Sequence, residues 1–231
     1  MFSRKLTGSI AVGAAAIAVA GGSYGIVSAT SGSGSSTAAS DVAAYSGSGS
    51  SSNARSGPEP GGTTGTVSST SKSGFTVTTV GSVKVTVKET TSTTYEKRSR
   101  SASARAVTKG QPVLVLGTTD NTTITATRVI LQPPASNSST ASQVIFYQKG
   151  ASGSTKKAGQ IPADYTQGQG TIVTGTVADK ATEAALAAYP GGVVDRVVEL
   201  SNGDYEVHNI GVNWPHHVFV NRDFKVIGAN D

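Results

Sequence analysis

The three histidines of this 231-residue chain lie close together near its C-terminal end, at His208, His216 and His217. Glu206 and His208 share one face of a predicted strand, because side chains alternate with a period of two. If His216 and His217 both lie in a strand, they point to opposite faces, so at most one joins that face. Imidazole and carboxylate groups can bind zinc, which makes Glu206, His208 and His217 candidate ligands. The alternative, a polar surface, is favoured, and we predict no metal and no cofactor.

Motifs of nucleophilic and nucleotide chemistry are absent from the sequence that follows the N-terminal apolar run. That part contains no Gly-x-Ser-x-Gly, and the one match to this spacing, Gly21–Gly25, lies in the apolar run and not after a predicted strand. The sequence contains no Walker loop, no His-Glu-x-x-His and no dinucleotide fingerprint after a strand. It has no cysteine, which excludes a thiol nucleophile, disulfides and zinc–thiolate sites. No two or three convergent titratable groups can be named. We therefore predict that the protein is not an enzyme.

A basic segment, Thr90–Ala106, is a candidate anion-binding loop. Its cations, opposed only by Glu96, are Lys97, Arg98, Arg100 and Arg105. Such a loop can hold a polyanion, with Tyr95 stacking beside it; the alternative is a solvated loop that favours solubility. Residues 1–160 carry 15 basic and 5 acidic side chains, and residues 161–231 carry 4 and 9. Outside the cell the expected anions are wall polymers or phospholipid headgroups, and we predict no nucleic-acid partner.

Four side chains of the C-terminal part are candidates for contact with a protein or peptide partner: Tyr189, Trp214, His216 and Phe219. Aromatic side chains often anchor interfaces. Trp214 is the only tryptophan. For Trp214 and Tyr189 we favour the alternative that they close a small core.

The elements that position these groups follow from local patterns. An Ala- and Leu-rich helix capped by Asp179 is predicted to end at Tyr189, before Pro190. Thr171–Val177 is predicted as a strand leading into it. Asn202-Gly203 predicts a two-residue hairpin turn. The remaining predicted strands are Val193–Leu200, Asp204–Ile210, His217–Val220 and Phe224–Ile227.

This order of helix, hairpin, strand, turn and strand resembles the PepSY-like modules of secreted and membrane-tethered bacterial proteins. The resemblance rests on Tyr189-Pro190-Gly191, Val194-Asp195-Arg196-Val197, Asp204–His208 and Val218–Val226. It implies a small α+β fold, with one helix packed on an antiparallel sheet, and a role in binding peptides or restraining proteases. The chain departs from the usual pattern at Asn213–His216, where an Asp-Gly turn is more ordinary.

Five segments upstream alternate apolar residues with Thr or Ser, which is typical of strands. They are Gly65–Ser69, Phe75–Thr79, Ser82–Glu89, Pro112–Gly117 and Ile124–Leu131. Five short strands in one small unit favour an all-β barrel of the OB type. Their spacing resembles an uncharacterised OB-like family of bacterial secreted proteins, which has no assigned catalytic residues.

The chain is predicted to contain two small, separable domains. Residues 1–29 have a basic start, an apolar run and a cleavage site, typical of a secretory signal; an uncleaved membrane anchor is the alternative. Residues 30–63 are predicted as a flexible Ser/Gly-rich linker, 64–132 as the barrel, 133–170 as a linker with a partly ordered segment, and 171–231 as the α+β domain. Val144–Tyr147 is apolar enough for a strand and is assigned to neither domain.

These features predict a non-enzymatic extracytoplasmic binding module, secreted or membrane-anchored, that contacts a peptide or protein partner through its C-terminal domain. Restraint of a protease is a more specific form of this hypothesis. The alternative is an envelope-associated structural protein whose basic barrel loop binds anionic wall polymer or a membrane surface.

Overall fold

The computed structural model of the chain describes residues 58–133, 143–150 and 156–231. The predicted signal segment and most of the predicted linker 30–63 lie outside these residues. Within them the fold is mostly β, with a single α-helix. The elements are β1 Glu59–Thr70, β2 Gly74–Thr78, β3 Lys84–Lys88, β4 Thr94–Lys97, β5 Arg100–Ser101, a 3-10 turn Ala104–Ala106, β6 Pro112–Asp120, β7 Thr123–Leu131, β8 Ile145–Phe146, β9 Ala158–Gly159, β10 Thr171–Ile172, α1 Gly175–Ala188, β11 Val193–Glu199, β12 Tyr205–Ile210, β13 Val212–Trp214, β14 His217–Val220 and β15 Val226–Asn230.

Five strands close into a barrel, as predicted. Going round it, β1 pairs with β2, β2 with β3, β3 with β7, β7 with β6, and β6 with β1. Every pair is antiparallel except β3–β7, which is parallel. Alternating apolar residues such as Val67, Val77, Val85 and Ile124 fill the interior, and the intervening Thr and Lys side chains point outwards.

β1 begins at Glu59, inside the segment predicted as a flexible linker. Its first half pairs with β6 on one side and with β11 on the other. A Cβ atom at Gly61 would overlap the carbonyl oxygen of Val194, and one at Gly62 would overlap that of Val115. These glycines therefore allow three strands to approach closely, and do not serve as flexible spacers.

The helix α1 begins at Gly175, so two local predictions are wrong. Thr174 occupies the N-cap position, without a side-chain cap, and Asp179 lies inside the helix. The predicted lead-in strand shrinks to the two residues of β10. The end of the helix is as predicted: the Tyr189 amide donates to the Ala185 carbonyl at 2.8 Å, and Pro190 follows.

The C-terminal strands β11, β12, β14 and β15 form consecutive antiparallel pairs. The first hairpin has a three-residue loop and not the predicted two-residue turn. The Gly203 amide donates to Leu200 at 2.9 Å, and Gly203 alone in this loop has a positive φ, 80°. The second turn extends through Phe224, whose φ is 56°, so β15 starts at Val226 and not at the predicted Phe224.

The barrel and the C-terminal strands share a core as well as a sheet. Leu114 and Leu116 of β6 point away from the barrel interior and belong to the core formed with α1, and Ile130 packs against that core. Arg128 of β7 lies 3.8 Å from Asp179 and 3.6 Å from Glu183 of the helix. All described residues belong to one compact unit. We therefore expect residues 58–231 to unfold together.

Val144–Tyr147, which the sequence could not assign, belongs with the C-terminal strands. β8 pairs with β13, and Val144 lies in the α1 core. Among the residues described, no helix is long and apolar enough to cross a membrane.

Candidate functional site

Three of the four predicted partner-binding side chains are buried. The exposed fractions are 7% for Tyr189 and 0% for Trp214 and Phe219. The Tyr189 and Trp214 rings meet edge-on at 5.4 Å, and the indole N–H of Trp214 donates to the Lys156 carbonyl at 2.7 Å. These three side chains pack in the protein interior and do not form a surface for a partner. His216 is half-buried.

The histidines lie on the sheet face that points away from α1. Arg196, His208 and His217 stand opposite one another on β11, β12 and β14. Nδ1 of His208 is 2.6 Å from Oδ1 of Asp195, and Nδ1 of His217 is 2.7 Å from Oε1 of Glu206. Each ring is thus held by a carboxylate at Nδ1, which leaves Nε2 as its second nitrogen. We call these five residues the histidine–carboxylate cluster.

A β-bulge builds one half of this cluster. The register of β11 against β12 shifts between Val194 and Arg196, which places Asp195 at the bulge. Bulges re-aim side chains in this way, and here Asp195 reaches His208. Asp195 and Arg196 are not among the site residues predicted from the sequence. The signal was present, because they are two adjacent charges inside an otherwise apolar strand.

Arg196 is the most unusual member of the cluster. It is 1% exposed, and its nearest acidic contact is Glu206 at 3.7 Å. Its three guanidinium nitrogens have no hydrogen-bond partner among the described residues. Removing a charge from water without full hydrogen bonding is costly, so Arg196 and the 2%-exposed Glu206 depend on each other.

Tyr165 covers the cluster from the segment before β10. Its ring lies 5.7 Å from the His217 ring and 4.7 Å from the Phe219 ring. Burial, with a further contribution from Glu206, raises the pKa of the Tyr165 hydroxyl. Because Tyr165 covers this face, the interior of the cluster is closed to solvent. His208 is its most exposed member, and His216, which is not part of the cluster, lies beside His208.

His216 also lies beside His208, with ring centroids 6.4 Å apart, and the His208 and His217 rings are 5.2 Å apart. From the sequence, only one of His216 and His217 can lie near His208 if both belong to a strand. Both fit because β14 begins at His217, so His216 does not follow strand alternation. Burial lowers the pKa of His216, and the neighbouring Asp231 opposes this. The described residues include no group of three or more His, Asp or Glu side chains arranged to hold a metal ion.

The cluster is a convergent set of titratable groups, which the sequence did not reveal. Its Arg196, Glu206 and His217 side chains are nearly inaccessible. The hydrogen bonds connect β11 to β12 through Asp195–His208, and β12 to β14 through Glu206–His217. The arrangement fixes the relative positions of three strands.

The predicted anion-binding residues lie on a hairpin, β4–β5, that is attached to the barrel by parallel pairing of β4 with β7. Lys97 stands directly opposite Arg100, and the two-residue turn between them is Arg98 and Ser99, with φ values of 51° and 59°. Lys97, Arg98 and Arg100 are exposed at this tip, and Arg105 is exposed in the 3-10 turn. No ion pair among the described residues involves any of the four.

The sequence suggested that Tyr95 stacks beside a bound polyanion, but Tyr95 packs against the barrel instead. Its hydroxyl donates to Oε1 of Glu89 at 2.7 Å, and its ring packs against the barrel core. Burial and the Glu89 carboxylate raise the pKa of Tyr95. Its role is to anchor the hairpin to the barrel.

No family model, curated protein or solved structure matches this chain. The resemblances to PepSY-like and OB-like families therefore stay predictions.

Proposed function

We propose that the protein is a non-enzymatic extracytoplasmic binding protein whose barrel binds anionic wall polymer through the β4–β5 hairpin. The observation that carries this proposal is the concentration of Lys97, Arg98 and Arg100 at one exposed turn, where none of the three forms an ion pair among the described residues. The competing hypothesis of a partner surface at Tyr189, Trp214 and Phe219 loses support, because these side chains are buried.

The hairpin tip is unfavourable for folding in two ways. Like charges directly opposite each other on paired strands are destabilising, and Lys97 faces Arg100. The left-handed backbone of Arg98 and Ser99 costs about 1–2 kcal/mol per residue. Local features that reduce stability without a compensating contact are typical of functional sites. A polyanion bound across the tip would neutralise the repulsion.

The expected strength follows from simple electrostatics. Each Lys or Arg held against an anionic surface contributes about 1 kcal/mol. The three cations at the tip would together contribute about 3 kcal/mol, which corresponds to about 100-fold in affinity. Screening at physiological salt acts over about 8 Å, so binding should weaken steeply as salt is added.

The test uses the full chain and purified polyglycerol-phosphate wall teichoic acid in a sedimentation assay. Reversing the tip with Lys97→Glu, Arg98→Glu and Arg100→Glu should lower the affinity by at least about 100-fold. A matched control reverses three lysines elsewhere on the barrel, Lys72→Glu, Lys84→Glu and Lys88→Glu, and should retain most of the binding. Equal losses in both variants, or binding that is insensitive to salt, would show that the hairpin is not the site.

The finer fold assignment is also part of the proposal: the barrel is of the OB type, and the C-terminal part is PepSY-like. The closure of β3 onto β7 in parallel, with the other four pairs of the five-strand ring antiparallel, supports the first assignment. The order of α1, the β11–β12 hairpin and the β14–β15 pair supports the second. Export through residues 1–29 should give a mature N-terminus at Thr30 by mass spectrometry of the secreted protein; an intact N-terminus would indicate the anchor.

A peptide or protein partner, including a restrained protease, is the second candidate. It is favoured by exposed apolar side chains at Val80, Ile145 and Tyr147, which are 58%, 38% and 61% exposed. Inhibition assays against extracellular proteases test its protease form, since a restraining domain should lower the rate of cleavage of a small substrate or a protein substrate.

A further inference from the structure

The short strand β8 covers the region where the sequence placed a partner-binding surface. Ile145 stands opposite Trp214 on β13, and Phe146 stands opposite Val212. Val144, just before β8, is buried in the same core as Tyr189 and Trp214. The chain's own segment thus lies where an added strand from another protein would pair.

Phe146 fits a slot between two glycines. A Cβ atom at Gly191, after the helix, would lie 2.5 Å from the Phe146 ring, and one at Gly81, in the β2–β3 turn, would lie 2.8 Å from it. Val80 borders the same slot. An aromatic anchor in a fitted pocket, beside a strand that offers backbone pairing, is the usual arrangement of strand-addition recognition.

β8 has fewer ladder pairs than the strands of the large sheet. It pairs on one side only and through two residues, whereas β12 pairs with β11 on one side and with β14 on the other. Ile145 and Tyr147, which alternate with Phe146, are exposed, and with Val80 they are the large apolar side chains left exposed in the described part of the chain. Segments with few buried contacts open at low free energy.

We propose that β13 and the Phe146 slot form a docking site for an extended apolar segment of a protein partner, and that Val144–Tyr147 occupies this site until the partner displaces it. This inference deepens the second candidate function and rests on it. The chemistry of the partner segment follows from the chain's own strand at this site. The partner segment should place an aromatic side chain in the slot and, two residues earlier, an aliphatic side chain in the core. The side chains between and after these two should point outwards.

The lysines near the site indicate the flanks of that segment. The Lys156 ammonium lies 4.4 Å from the centroid of the Trp214 ring, and Trp214 stands opposite Ile145. Lys149 and Lys157, which precede and follow this region in the sequence, are exposed. A partner segment with acidic residues at its ends would complement Lys149 and Lys157.

The test uses the full chain with Phe146→Asp, which unseats β8, and a fluorescein-labelled peptide with the sequence of residues 143–149. In a polarisation assay this peptide should bind the variant at least about tenfold more tightly than the wild type, since the wild-type strand competes in cis. A peptide carrying Asp in place of its Phe should not bind. The fluorescence emission of Trp214, the sole tryptophan, should shift to longer wavelength in the variant. Adding the peptide should restore the wild-type emission wavelength.

Three results would overturn the inference. The peptide could fail to bind a folded Phe146→Asp variant, or it could bind the variant and the wild type equally well. The wild type could also form a dimer that Phe146→Asp abolishes, and the site would then belong to a second copy of the chain. If the variant does not fold, hydrogen exchange of the wild type decides: β8 amides should exchange about 100-fold faster than those of β12, and equal protection refutes a displaceable strand. Teichoic-acid binding uses a different surface, so either proposal can fail alone.

Discussion

Replacing Leu116 by alanine tests whether the barrel and the C-terminal strands form one cooperative unit. Leu116 belongs to a barrel strand, β6, but its buried side chain packs in the core formed with α1. Truncating a buried leucine to alanine costs about 2–5 kcal/mol, because apolar contacts are lost and a cavity is left. We expect a value near the middle of this range, since α1 and β6 approach the cavity from both sides and neither can collapse freely.

Urea unfolding followed by Trp214 fluorescence measures this loss. Trp214 is buried in the same core as Leu116 but lies on β13, far along the chain. With a urea dependence of about 2 kcal/mol per molar, a loss of about 3 kcal/mol lowers the midpoint by about 1.5 M. Circular dichroism, which reports all the strands, should give the same midpoint if unfolding is two-state.

Two control variants show whether the loss of stability comes from the core shared by the barrel and the C-terminal strands. Lys84→Ala, on an exposed face of β3, should leave the midpoint unchanged. Val85→Ala, inside the barrel, should lower the Trp214 midpoint as well, because the whole unit unfolds together. A Trp214 midpoint that Leu116→Ala does not move, with a second transition seen by circular dichroism, would refute the shared core and restore the two separable domains.

Three further predictions concern the C-terminal sheet. Gly203→Val should cost about 1–3 kcal/mol of folding stability and lower the melting temperature by several degrees, because Gly203 has a φ of 80° and a Cβ there would overlap the Arg222 guanidinium. The control Ser201→Ala should change the melting temperature little. Equal melting temperatures for wild type and Gly203→Val would contradict the described turn. Since burial lowers the pKa of His216, the folded state binds fewer protons than the unfolded state between that lowered pKa and about 6.5. Melting temperatures should therefore fall as the pH drops below about 6.5, and His216→Gln should flatten this dependence; an unchanged profile would rule out His216 as the cause. Arg196→Met should cost about 3–5 kcal/mol in urea unfolding, because it leaves Glu206 as a buried charge, and adding Glu206→Gln should recover part of the loss; strict additivity would show that the two side chains are independent.

The barrel could be predicted from sequence because its strands carry a clean two-residue period. In Lys84–Lys88, valines alternate with Lys and Thr, so both the strand and its buried face can be identified. The extension of β1 could not, because Gly61 and Gly62 are equally typical of a flexible linker. Only the proximity of Val194 and Val115 shows that these glycines permit close packing.

The second face of β6 did leave a signal in the sequence. Val113, Leu114, Val115 and Leu116 are consecutive apolar residues, a pattern typical of strands buried on both faces. That pattern indicates something packed against the outside of the barrel, but it does not identify α1. Which two elements meet is decided by chain topology, and local sequence does not encode it.

The histidine–carboxylate cluster could be predicted only in part. Glu206 and His208 were correctly placed on one face, because strand alternation requires it. Asp195 reaches His208 only because a bulge shifts the register of β11, and a bulge has no reliable signature in a run of valines. The basic segment was easier to find, since its four cations, three at the hairpin tip and Arg105 in the 3-10 turn, lie close together in the sequence.

The packing of α1 on the outside of the barrel has a consequence for biosynthesis. Ribosomes make the chain from its N-terminal end, so all five barrel strands are complete before α1 exists. Until the helix arrives, nothing covers the apolar side chains of Leu114, Leu116 and Ile130, and such exposed apolar patches promote aggregation. A chain that ended after β7 would keep this patch permanently, and premature termination would yield a species prone to associate with its own copies.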